Sequence, residues 1–268
     1  MWKALRRERL RSAPFPPEWR RILESHCPFY EGLPDPDRRE LEGNIQVFLA
    51  EKRFEGCGGL ELNDEIRVSI AACACLLLLH RDTDYYPSLR TVLVYPSTFV
   101  VPTTRHVGSG VMEESHRVLA GESWQEGAVV LAWDEIRSAI QFPGNGYNVV
   151  LHEFAHQLDY EDGQTDGAPL LGHGESWKAQ KRRYADWSRV MHAEFDQLRA
   201  RVQRGEATVL RDYGATNPAE FFAVATECFF CKPQEMRQAH PELYEHMKWY
   251  YQQDPARLGW HWPRISIQ

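Results

Sequence analysis

The chain has 268 residues and a mass of 31.1 kDa; hydrophobic residues make up 43%, charged residues 26% and aromatics 12%. That mixture excludes a disordered or fibrous protein. A formal charge of -7 and a pI near 5.9 argue against a dedicated nucleic-acid binder, which carries a basic surplus. The longest purely apolar run, Ile70 to Leu79, is half the roughly 20 residues that a membrane-spanning helix requires. The N-terminus has positive charge but no apolar block behind it, so a secretory signal is not expected and a cytoplasmic location is.

Along the chain, Lys3, Arg6, Arg7, Arg9 and Arg11 precede Pro14, Pro16 and Pro17, which reads as a solvated, proline-stiffened arm over residues 1–34 ahead of one domain over 35–268. A helix is expected from Asp35 to Arg53, with Asp35 as cap, Pro36 in the first turn and Leu41, Ile45, Phe48 and Leu49 at helical spacing. Asn63 or Asp64 caps another, whose centre SIAACACLLLL is apolar on every side and so belongs in the interior. Valine-rich runs at 91–101 and 127–133 read as strands.

A helix from about Tyr147 to Tyr160 follows, and residues 161–174, with four glycines and Pro169, read as a loop. Further helices are expected over roughly 176–204, from Pro218, and over 233–253. Cys73, Cys75, Cys228 and Cys231 sit in apolar segments and read as core residues. A zinc site at Cys228 and Cys231 lacks a second pair at a suitable spacing. Few strands among many helices give an α+β protein.

Residues 152–156 read HEFAH, the HExxH pattern. Two histidines one helical turn apart can both grip a zinc ion, while the intervening glutamate works on a bound water. The helix divides into a chemical face with His152, His156 and Asp159, and a core face with Val150, Leu151, Phe154, Ala155 and Leu158. Glu153 lies to one side of the histidine stripe, where it can serve as general base without joining the ligands. Asp159 is expected to accept the second ring N–H of a ligating imidazole.

A catalytic zinc takes a third protein ligand and leaves a fourth position open. A metzincin continuation would need glycine at 159 and histidine at 162, but Asp159 and Asp162 stand there. Glu175 has the spacing of aminopeptidase gluzincins, and GVMEE at 110–114 resembles their exopeptidase signature, yet Glu175 follows a glycine-rich loop. Glu220 lies in the first turn of the helix opened by Pro218, with Glu227 two turns further along the same face. Phe222 and Phe229 can anchor that helix from its opposite side.

VYPSTFVV, AGESWQEGAVVLAW, HEFAHQLD, DYGATNPAEFFAV and YYQQDP resemble the Mlc titration factor A family of bacterial zinc peptidases over roughly residues 35–255. The resemblance implies a zincin-like fold related to the anthrax lethal factor catalytic core, mostly helical, with a small sheet whose edge strand lines the active-site cleft. It further implies one zinc per chain with Glu220 as third ligand, and Tyr213, seven residues earlier, as donor to the developing oxyanion. GAVVLAW resembles the cleft-rim strand on which a peptide substrate can add. Peptidase activity of an aminopeptidase kind is implied, with exopeptidase against endopeptidase left open. The family's name also implies a rival role: a regulatory protein that sequesters a transcriptional repressor of sugar-uptake genes.

Overall fold

A computed structural model describes residues 2–107, 111–119, 121–124, 127–171 and 176–258, and only the backbone between 99 and 124. The elements run α1 (Trp2–Arg11), α2 (Pro17–His26), α3 (Pro28–Gly32), α4 (Asp35–Glu51), β1 (Arg53–Gly56), α5 (Asp64–Leu76), β2 (Thr91–Tyr95), β3 (Phe99–Val107), β4 (Val111–Leu119), β5 (Gly121–Trp124) and β6 (Ala128–Ala132). There follow α6 (Trp133–Gln141), α7 (Val149–Asp159), α8 (Trp177–Gln203), α9 (Pro218–Cys231), α10 (Pro233–Ala239) and α11 (Pro241–Tyr251). The architecture is mostly helical with a small sheet, an α+β arrangement. None of the described helices is long and apolar enough to cross a membrane.

Four strands pair in the order β1-β2-β6-β5. The first three are parallel, and β5 closes the series antiparallel to β6. Strands β3 and β4 form a separate antiparallel pair. The GAVVLAW run is therefore corrected from rim to interior: β6 is hydrogen-bonded to β2 on one side and β5 on the other, which leaves it no edge for a further strand. The edge beside it belongs to β5, whose backbone passes along α7.

Residues 2–33 differ from the solvated reading given to them above. Phe15, Leu23, Cys27, Phe29 and Tyr30 are buried in the main core, and α1 packs on α4. Arg7 is buried between Glu51 and Asp84, with contacts of 2.7 and 2.6 Å, so part of the basic patch is spent internally. The last predicted helix is two: His240 leaves helical geometry at φ -135° and ψ 61°, because the residue before Pro241 is pushed out of the α region.

The core places α7 at the centre of the molecule. Asn148 accepts hydrogen bonds from the amides of Val150 and Leu151, both at 3.0 Å, and so fixes the start of the helix. Every residue from Val149 to Asp159 is buried, against α5, α9, β5 and β6. Burying a helix all round normally calls for an apolar sequence, so its polar residues must be paired or functional.

Candidate metal centre

Helix α9 crosses α7 and brings the third charged group to the histidines. Asn217 caps it by accepting from the Glu220 amide at 3.0 Å, Pro218 stands in its first turn, and Phe222 and Phe229 are fully buried. These constraints hold Glu220 against the HExxH face. Its Oε2 lies 3.0 Å from His152 Nε2 and 3.4 Å from His156 Nε2. The two imidazole rings meet edge to face, 4.9 Å apart.

A tetrahedral ion bonded at about 2.0 to 2.1 Å has edges of about 3.3 Å between its ligand atoms, which these separations match. One ligand atom from each of the three side chains falls within 4.8 Å of the other two. Among the described residues this is the group of His, Cys, Asp or Glu side chains suited to hold a metal ion. The cysteines do not join it: burial drives the thiol of Cys73 to about 11 and that of Cys228 to about 12, as for core thiols.

The electrostatics favour a cation at the meeting point. Burial disfavours a charged His152, yet Glu227 and Glu220 outweigh it and raise its pKa to about 10. Burial likewise disfavours an ionised Glu220, but the two imidazoles hold its carboxyl far below the usual range. Either a proton or a metal ion can supply that positive charge.

Glu153 is 4% exposed, and its Oε2 is buried without a hydrogen-bond partner among the described residues. Burial raises its pKa, against the opposing pull of His152 and His156. An unpaired buried carboxylate oxygen is costly unless a ligand or water completes it. Tyr213, on the 3-10 turn Asp212–Ala215, is 49% exposed, with its ring 5.9 Å from that of His152. It stands at the mouth of the site rather than in the core. Glu175, the alternative third ligand, lies outside the described residues.

Asp159 does not orient an imidazole. Its two carboxylate oxygens accept from the Gly167 amide at 3.0 and 2.9 Å, while His156 Nδ1 has no hydrogen-bond partner among the described residues. Burial lifts the pKa of Asp159 to about 7, even though the Gly167 amide pulls the other way. Gly167 adopts φ +81°, and a Cβ there would come within 2.5 Å of the Pro218 carbonyl oxygen, so this loop must present glycine to α9. The carboxylate found at an imidazole Nδ1 is instead Glu227, 2.5 Å from His152. Sequence spacing had put it on the face of Glu220 but had given it no contact with the histidines.

Asp159→Ala is therefore expected to strand the Gly167 amide in the interior and destabilise the protein by about 1–3 kcal/mol. The corresponding fall of several degrees in Tm should be much smaller in Asp159→Asn, which keeps an acceptor. Equal melting temperatures for wild type and the alanine variant would dismiss the loop anchor.

The model of the family described as glucose-regulated metallo-peptidase M90 matches residues 2–252. The match takes in the N-terminal helices that the motif resemblance, beginning near residue 35, leaves aside. An uncharacterized protein of Synechocystis sp. is 42% identical over 255 residues, which are 95% of this chain and 90% of that one. Mlc titration factor A of Cronobacter sakazakii is 32% identical, over 95% of this chain and 91% of its own. Its Klebsiella pneumoniae counterpart is 33% identical, over 89% and 87%.

Proposed function

The chain belongs to the glucose-regulated metallo-peptidase M90 family, and on that premise we propose that it is a zinc-dependent peptidase of the zincin type. One observation carries the proposal. His152 Nε2, His156 Nε2 and Glu220 Oε2 converge at ligand spacing beside the unpartnered oxygen of Glu153.

In this reading His152, His156 and Glu220 hold one zinc ion per chain. Zinc bound by three such ligands lowers the pKa of a coordinated water to about 7 and polarises a carbonyl. Glu153 takes the proton from the water that attacks the scissile amide, then delivers it to the leaving amine. Its burial keeps competing solvent away from that transfer. Tyr213 donates a hydrogen bond to the oxyanion as the tetrahedral intermediate forms. The substrate is an extended peptide laid along β5, with which no strand pairs on its far side among the described residues. Aminopeptidase-like cleavage is the form we propose, following the family resemblance.

The name of these relatives, Mlc titration factor A, favours a second reading in which this fold docks a transcriptional repressor. A pure scaffold would have no use for a buried glutamate close to the two histidines and Glu220, which favours turnover.

Hydrolysis of unblocked and N-terminally blocked peptides by the purified protein tests the proposal. Activity is expected to vanish on chelation and return with zinc, and unblocked peptides should be the better substrates. Chelator-insensitive cleavage, or none with zinc restored, would rule against it. In the same assay Tyr213→Phe should keep its zinc and lose ~10-fold or more in turnover. An unchanged rate would remove Tyr213 from the chemistry.

A further inference from the structure

The two ligand-bearing helices also meet at a carboxylate that the proposed chemistry does not use. Glu227, two turns beyond Glu220 on α9, is completely buried. A carboxylate in such a place is strongly unfavourable unless it is paired and hydrogen-bonded. Its partners come from three directions. His152 Nδ1 lies 2.5 Å from Oε1, the Asn148 amide donates to Oε2 at 3.2 Å, and Arg211 Nη1 reaches Oε2 at 3.0 Å and Oε1 at 3.3 Å. The Arg211 guanidinium is itself seated 4.3 Å from the centre of the Tyr147 ring.

The contacts divide the work. Arg211 supplies a positive charge to the buried carboxylate that stays in place when a metal ion replaces the proton on His152. The His152 Nδ1 faces Glu227 Oε1, and with the ring so held its Nε2 is directed at the point shared with His156 and Glu220. The Asn148 contact falls on the residue that caps α7. A single side chain of α9 thereby holds both the first histidine and the start of the helix that bears both histidines. Among the described residues His156 has no such support, since its Nδ1 finds no partner there.

We infer that Glu227, held in place by Arg211, is the positioning residue of this centre: it fixes the orientation of the His152 ring and sets α7 against α9 at the spacing the three ligand atoms require. The inference rests on the metallopeptidase reading.

The test uses the full chain with Glu227→Gln. Zinc affinity is measured by competition with a chromophoric chelator, and histidine ring N–H protons are observed by NMR in zinc-loaded protein. Glu227→Gln is expected to bind zinc about 10- to 100-fold more weakly. The His152 Nδ1–H signal, held downfield and slow to exchange by the carboxylate in wild type, should move upfield and exchange faster while that of His156 is unmoved. Should that variant not fold, Arg211→Met, on the more exposed side of the pair, carries the same two readouts with changes in the same direction. A folded variant with zinc affinity within about twofold of wild type overturns the inference, on the scale of such effects. Weakened zinc with an unaltered His152 ring also overturns it, because loss of packing alone would do that. Wild-type protein that binds no zinc overturns the metallopeptidase reading, and this inference with it.

Discussion

Glu153→Gln is expected to keep its zinc and to lose about 10² to 10⁴ in peptide hydrolysis, the usual contribution of a positioned proton acceptor. The amide has nearly the shape of the carboxylate, so the fully buried α7 should pack as before. It cannot take a proton from the attacking water. The effect should be chemical rather than structural, since Glu153 Oε2 has no hydrogen-bond partner among the described residues. Turnover and metal content measured on the same preparation separate the cases. Activity within a few-fold of wild type at full zinc would exclude Glu153 as the base. Loss of zinc and activity together would make it a support of the site instead.

Glu220→Gln should act on the metal itself. With three protein ligands, replacing one carboxylate by a neutral amide removes a bond and the negative charge that offsets the ion, so zinc binding weakens and hydrolysis is abolished. Helix α9 gives Glu220 the rigidity a ligand needs, through the Asn217 cap and the buried Phe222 and Phe229. Glu175→Gln, at the other position with gluzincin spacing, should leave zinc stoichiometry unchanged and alter activity only modestly. If the two variants exchange behaviours, the centre is of the aminopeptidase gluzincin type, and the role proposed for Tyr213 falls with Glu220.

What could be read in advance follows the range of the interactions. His152, Glu153 and His156 occupy one turn and a quarter of one helix, so their spacing alone carries their relation. Pro218 marks a helix start that makes Glu220 a candidate, but its preference over Glu175 needed the family resemblance as well. The role of Asp159 was misjudged although its face was right: a loop amide eight residues on claimed the carboxylate, and backbone donors in loops leave no periodic trace. The contact of Glu227 with His152 spans 75 residues and has no local signal. Strand β1 has four residues and no alternation to detect. The run over 128–132 looked like a strand and is one, but its place inside the sheet depends on pairing with residues 91–95, a matter of topology rather than composition. The N-terminal arginines illustrate the same limit: Arg7 looked solvated until Glu51 and Asp84 were brought to it by the fold.

Metal analysis of the wild-type chain, purified without chelator, bears most directly on the central claim. One zinc per chain is predicted, lost in His152→Ala and in His156→Ala. Wild-type protein free of any transition metal, and unable to take up zinc when it is offered, would contradict the account.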